Sequence, residues 1–267
     1  MRNLTIIGSR PGQARWAAKT FGDGKSGARG RTVAAVVCLA VIGCAPAPDQ
    51  AQPMEEAPAQ ASAPATADSP TPEEVQDMPE GYLQLLRTSD GRFSKAGWNH
   101  YGPGHFELDP VTGVLTSHGG MGLFWYSVRE FGDFVLDLEF KCADVHTNSG
   151  VFVRIPGVPA SDDYIYHSFE IQINDAGEGI HQTGAVYDAE APTHLASRPP
   201  GEWNRMRITV VGSRLGVEVN GERVVDWEAE PRGKVVSFSP RGYFGLQNHD
   251  DRSPVYFRNI FVRDLEG

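Results

Sequence analysis

The chain has 267 residues, of which 10% are aromatic and 22% charged, and a formal charge of −10. Seven of its 24 basic residues but only one of its 34 acidic residues lie in the first 43 positions, which leaves 17 against 33, or −16, for the remainder. That acid excess excludes nucleic acid as a partner, because phosphate binding demands the opposite sign.

Residues 1–43 join a basic stretch to the run "TVAAVVCLAVIG", Thr32 to Gly43. Twelve residues are too few to span a hydrocarbon core of roughly 30 Å, which needs about 20 in a helix. A basic flank before a short apolar run is the pattern of an export signal. "VIGC", Val41 to Cys44, is similar to the lipobox of bacterial lipoproteins, in which the cysteine is lipidated and becomes the mature amino terminus. The resemblance implies a membrane-anchored lipoprotein of the bacterial cell envelope; an ordinary secretory signal cleaved near "CAPA" is the alternative. Cys38 would be lost with the leader, so Cys142 is left alone and no intramolecular disulfide is expected. Nothing near Cys142 marks it as an activated nucleophile.

Residues 44–80 carry Ala, Pro and acids with no Lys, Arg or aromatic residue. A segment of that composition buries too little apolar surface to offset the entropy of ordering, and it reads as a flexible, self-repelling tether. The folded domain is expected over 81–267. A helical turn or two near Gly81 to Leu86 precedes a series of short alternating segments. "FVLDLEFK" places Phe134, Leu136, Leu138 and Phe140 on one side, and "NRMRITVV", "LGVEVNGERVVDW", "YFGLQN" and "VYFRNIFVRDL" alternate in the same way. Asn220-Gly221 between two apolar runs is a hairpin signal. Many short strands and little helix predict an all-β antiparallel sandwich or barrel.

"NSGVFVRIP" is expected to bury Val151, Val153 and Ile155 and to leave Phe152 and Arg154 on the opposite face, where an Arg beside an aromatic ring suits an anionic or hydroxyl-rich ligand. "FEIQIN" buries Phe169, Ile171 and Ile173 and shows Glu170, Gln172 and Asn174 together. Plain solvation also produces such a face. Further polar groups recur at strand ends: His181, Tyr187, Gln247, Asn248 and His249. Loops that gather at strand ends are where sites form. Among the tryptophans, Trp125 is the candidate for stacking on a sugar, whereas Trp203 is expected in the core. No HExxH, CxxC, EF-hand or GxSxG motif occurs. "NDAGEG" could offer oxygens to calcium, so a divalent cation is left open and no other cofactor is indicated.

Taken together, "GLFWY", "FGDFVLDLEFK", "NSGVFVRIP", "FEIQIND", "TGAVYD", "PGEWNRMRITVVG", "VNGERVVD", "GLQNH" and "VYFRNIFVRDL" resemble, in order, the 3-keto-disaccharide (3-keto-glycoside) hydrolase domain family. The resemblance implies a jelly-roll sandwich of the concanavalin A-like lectin and glucanase type, with a groove lined by Asn148, Arg154, Glu170, Gln172, His181, Tyr187, Gln247 and His249. It also implies an oligosaccharide or glycoside substrate and a functional link to a sugar 3-dehydrogenase. Glucanases of that fold use a pair of acids, but this chain has amides at Gln172 and Asn174 beside Glu170. A 3-keto sugar does not need the pair, because the ketone acidifies the C2 proton and one base suffices. Glu170 or His181 would be that base, with Asn148, Arg154 and Gln172 on the substrate oxygens and His249 or Tyr187 as proton donor. A noncatalytic carbohydrate-binding domain is the alternative reading.

Overall fold

The computed structural model describes residues 79–86, 88–89, 92–249 and 252–267. Cys44, the leader 1–43 and the Ala/Pro segment up to residue 78 lie outside the described residues. Fifteen strands follow in chain order among them. They are β1 (Leu83–Gln84), β2 (Thr88–Ser89), β3 (Arg92–Phe93), β4 (Trp98–Tyr101), β5 (His105–Leu108), β6 (Leu115–His118), β7 (Gly122–Phe131) and β8 (Phe134–Cys142). The rest are β9 (Ser149–Ile155), β10 (Phe169–Ile173), β11 (Asn204–Val211), β12 (Arg214–Val219), β13 (Glu222–Glu228), β14 (Gly242–Asn248) and β15 (Val255–Asp264). The turn predicted near Gly81 is real, with Tyr82 N–H donating to Pro79 at 3.1 Å, but it leads into β1 and not into a helix.

The all-β antiparallel sandwich expected from sequence is present. One sheet has eight strands in the order β13-β12-β11-β8-β15-β6-β5 with β1 beside β15; the other has five, β10-β9-β14-β7-β4. Alternation explains the packing. Phe134, Leu136, Leu138 and Phe140 of β8 face Phe124, Tyr126, Val151, Val153, Phe169, Ile171, Phe244 and Leu246 from the smaller sheet in one continuous core. Tyr126 and Phe244 stack at 5.7 Å, and each such side chain contributes about 1.5–3 kcal/mol by leaving water. Asn220 and Gly221 have φ of +52° and +85°, the mirror-image turn that matches the twist of β12 and β13.

The outer face of the five-stranded sheet positions the site. Leu123, Trp125, Phe152 and Ile155 form a second apolar cluster there, covered by Tyr164 from a short 3₁₀ turn, Asp162–Tyr166. Ile155 is on this face because the alternation of β9 breaks: Arg154 has φ +58°, and the pairing with β14 shifts between Tyr243↔Ile155 and Gly245↔Phe152. The bulge reverses the expected sides of Arg154 and Ile155.

Candidate functional site

Beside that apolar cluster lies a cleft of about 400 Å³. Its floor is polar: Glu170 and Gln172 from β10, Gln247 from β14, Asn148 ahead of β9 and His249 after β14. Met121, Ile165, Tyr166, Tyr187, Asp188 and Lys234 complete the walls.

Glu170 and Gln172 point into the cleft because strand alternation sends Phe169, Ile171 and Ile173 to the core. Gly150, opposite Gln172 in the β9–β10 ladder, leaves the space that Glu170 fills. The segment after β10 folds back along it: Gly184 N–H donates to Gln172, Gln172 N–H to Ala185, and Tyr187 N–H to Glu170 at 2.8 Å. That pairing fixes Tyr187 and Asp188 against the floor.

Lys234 arrives from far along the chain on a tight turn. Arg232 and Val235 exchange backbone hydrogen bonds of 2.9 and 3.0 Å, with Gly233 and Lys234 at the tip. Arg232 clamps the turn to Glu190 at 2.6 Å. Gly233 has φ +55°, and a side chain there would meet the Asp188 carbonyl, so only glycine allows this approach. Lys234 Nζ donates to Glu170 Oε2 and lies 4.0 Å from the centre of the Tyr187 ring.

Glu170 is 4% exposed. Burial pushes its carboxyl above the usual carboxylate range, and the opposing pull of Lys234, His249 and a hydrogen bond from Gln247 does not cancel that push. Burial likewise raises the Tyr187 phenol, with the negative charge of Glu170 adding to it. The amides form a directed chain. Gln172 Nε2 donates to Asn148 Oδ1 at 3.3 Å, and the Asn148 amide nitrogen then donates to His249 Nε2 at 3.2 Å. The carbonyl oxygens Gln172 Oε1 and Gln247 Oε1 are buried without a hydrogen-bond partner. Buried acceptors in that state are costly unless a ligand brings donors, and sugar hydroxyls are donors.

The structure therefore gathers Asn148, Glu170, Gln172, Tyr187, Gln247 and His249 around one cleft. Five other residues read from sequence lie elsewhere, among them the buried Asn248, whose amide nitrogen donates to the Pro103 and Gly119 carbonyls at 3.1 and 3.2 Å. Arg154, carried inward by the bulge, is 2% exposed and bonds the Gly132 carbonyl at 3.1 Å, with Asp133 at 3.6 Å. Trp125 is on the outer face but is 5% exposed, packed edge-on against Tyr243 at 4.9 Å. His181 stands outside the cleft wall, half exposed, 3.9 Å from Asp188 and 5.0 Å from the Tyr187 ring. Asn174 follows β10 and uses its side chain to accept from Ala176 N–H. In the same loop Asp175 accepts from Thr183 and Ser197 at 2.6 and 2.7 Å, so the oxygens suggested for calcium serve hydrogen bonds. Among the described residues, no group of three or more His, Cys, Asp or Glu is arranged to hold a metal ion. Burial pushes the Cys142 thiol up to about 12, which makes it inert.

Lys234 was missed by sequence reasoning. Its signal, a Gly-Lys pair in "PRGKVV", is indistinguishable from a solvated turn until Glu170 is seen beneath it.

A second depression of about 410 Å³ lies against the eight-stranded sheet around Trp203. Its guanidinium groups are engaged: Arg205 and Arg207 both bond Asp137, and Arg258 bonds Glu139 while lying 4.0 Å from the Trp203 ring. Trp203 is thus a partly exposed platform for cations and not a core residue. These pairs tie β8, β11 and β15 together across the sheet face.

Known proteins resemble the chain at the level of this domain. A 3-keto-disaccharide hydrolase of Bacteroides thetaiotaomicron is 23% identical over 237 residues, which cover 70% of this chain and 79% of that protein. The crystal structure of a candidate glycosyl hydrolase from Parabacteroides distasonis is 28% identical, with a TM-score of 0.57 over 69% of this chain and 99% of that one. A second structure from the same organism shares the fold at 22% identity, with a TM-score of 0.59 over 70% of this chain and 94% of that one. Residues 86–263, nearly all of the sandwich including every wall of the cleft, match the model of the 3-keto-alpha-glucoside-1,2-lyase-like domain, and the chain belongs to that family.

Proposed function

We propose that the protein cleaves the glycosidic bond of 3-keto-glucosides or 3-keto-disaccharides, with Glu170 as the base that removes the C2 proton. The observation that carries this reading is a single buried carboxylate, its charged form disfavoured by burial, on the floor of a cleft that also holds two amide carbonyls without a hydrogen-bond partner. Membership of the family and the likeness to a 3-keto-disaccharide hydrolase support the substrate class.

Glu170 takes the proton from C2, and the C–H electron pair moves toward C3 so that O3 becomes an enolate. The pair then returns, O3 is again a ketone, a C1=C2 double bond forms and the C1–O bond breaks. The departing aglycone oxygen takes a proton from the Tyr187 phenol, which burial keeps protonated. Addition of water across C1=C2 completes hydrolysis and restores the proton inventory. Gln172 and Gln247 accept hydrogen bonds from sugar hydroxyls, and Asn148 holds His249 in place at the edge of the cleft. No second acid is required, which fits a strand carrying one carboxylate and one amide. The ketone must already exist on the substrate, so a sugar 3-dehydrogenase has to act first.

We further propose, from the "VIGC" sequence alone, that Cys44 is lipidated and holds the domain at a bacterial envelope membrane. Recovery of the Cys44→Ala chain in the soluble fraction, where the native chain pellets with membranes, would support the anchor.

The deciding assay is release of free 3-keto-glucose from 3-keto-trehalose and a 3-keto-glucoside by the purified full chain, with unoxidised sugars beside them. Release confined to the oxidised sugars is the expected result. Binding without release from any of them would replace the enzyme with a carbohydrate-binding domain.

A further inference from the structure

Lys234 is buried to an extent unusual for a lysine, with its side chain 12% exposed and that of its partner Glu170 5% exposed. An ion pair withdrawn from water in this way gives weak net stability, because desolvation consumes most of the Coulomb gain. Its persistence at the bottom of a cleft therefore asks for a reason other than folding. The ammonium is also placed with care: Glu170 on one side, the Tyr187 ring at 4.0 Å and the Phe152 ring at 5.6 Å. Among the described residues its hydrogen bond to Glu170 is the one its side chain makes, so two N–H donors remain. The turn that carries it depends on Gly233 approaching Asp188 and on the clamp from Arg232 to Glu190, so its position is built by the fold.

We infer that the Lys234 ammonium receives the 3-keto oxygen of the substrate and stabilises the enolate formed when Glu170 takes the C2 proton. This rests on the ketone-assisted reading above and assigns the group that completes it. Before the step the cleft holds Lys234 positive and Glu170 negative. The C2–H bond breaks, the proton goes to Glu170 and the negative charge passes to O3. Afterwards the cleft holds Lys234 positive, Glu170 neutral and O3 negative. Charge moves across the cleft while the cation stays fixed and the total does not change, so the buried site need not reorganise. An ordinary hydroxyl at C3 cannot accept that charge, so the same pair favours oxidised over unoxidised sugars.

The rival role for Lys234 is merely to keep Glu170 ionised. The pH profile separates the two. Without Lys234, only His249 and the hydrogen bond from Gln247 still oppose burial at Glu170, and the ionised base appears only at higher pH. If Lys234 served only that end, Lys234→Met would recover fully once the pH is raised far enough to ionise Glu170. Contact with the enolate predicts instead that kcat on 3-keto-trehalose stays about a hundredfold or more below wild type on the high-pH plateau. Full recovery at high pH would overturn the assignment and leave the proposed activity standing. A wild-type chain that releases nothing from oxidised sugars would remove the activity itself, before any lysine variant is made.

Should the lone methionine variant fail to fold with Glu170 unpaired, the Glu170→Gln/Lys234→Met chain, which lacks both charges, supplies a second measurement. Its affinity for the 3-keto sugar should be about tenfold or more weaker than that of Glu170→Gln alone, the worth of a hydrogen bond from a charged donor. Equal affinities would overturn the contact.

Discussion

Gly150 and Glu170 occupy one space. They sit on neighbouring strands, and a methyl group on Gly150 would lie 2.7 Å from the Glu170 carboxylate and 2.8 Å from its Cγ. Because the carboxylate is also held by Lys234, it has nowhere to move without losing its place over the cleft. Gly150→Ala should therefore cost about 1–3 kcal/mol of stability, as overpacking does, and lower kcat on a 3-keto glucoside by more than the folded fraction explains. Thermal melts and turnover measured on the same preparation check both parts.

The pH profile should carry the mark of burial. Glu170 acts as a base only when ionised, and its carboxyl is raised because the apolar surroundings oppose the charged form. Activity should thus fall as pH drops through a value above the ordinary glutamate pKa of about 4.3. In kcat/KM against pH, an acid limb at or below that ordinary value would contradict the assignment. Glu170→Gln should abolish release while the sugar still binds.

The two unpaired amide carbonyls should be felt in binding. Gln247→Leu and Gln172→Leu each remove an acceptor for a sugar hydroxyl, worth about 0.5–1.5 kcal/mol or roughly two- to tenfold in KM. The two variants should then differ in kcat. Gln172→Leu also strips Asn148 of its donor and loosens His249, whereas Gln247→Leu removes a hydrogen bond from Glu170 itself. Saturation curves for both on one oxidised substrate provide the test.

Arg154 offers a control for the corrected site. Replacing it by Met leaves the Gly132 carbonyl without its donor and should lower stability by about 1–3 kcal/mol. Kinetic constants of the folded fraction should stay near wild type, because the side chain does not line the cleft. A large rise in KM with unchanged stability would return it to the substrate.

The local part of the site was legible because strand period is a local property. "FEIQI" announces in one line that Glu170 and Gln172 share a face, and the core residues of β8 are equally plain. The same rule failed at "VFVRI", where one residue at φ +58° shifts the register and exchanges Arg154 with Ile155. A bulge is set by how β9 meets β14, strands that are distant in sequence, so no alternation within β9 could reveal it. His181 and Asn174 belong to a loop whose path is decided by backbone pairing to β10, and composition does not encode a path.

By itself the sequence determined an all-β antiparallel fold of short strands, with sandwich or barrel left to the family resemblance, the hairpin at Asn220-Gly221, a polar strand with a single acid, and a strongly acidic chain. Those features follow from side-chain period, turn chemistry and charge, all of which act over a few residues or over the whole composition. Only the tertiary structure decided that Trp125 is covered, that Arg154 is tied to the Gly132 carbonyl, and that Lys234 stands over Glu170 from 64 positions away. Ion pairs and buried acceptors act through space in a medium of low dielectric, and the distances that govern them exist only after the sheets have packed.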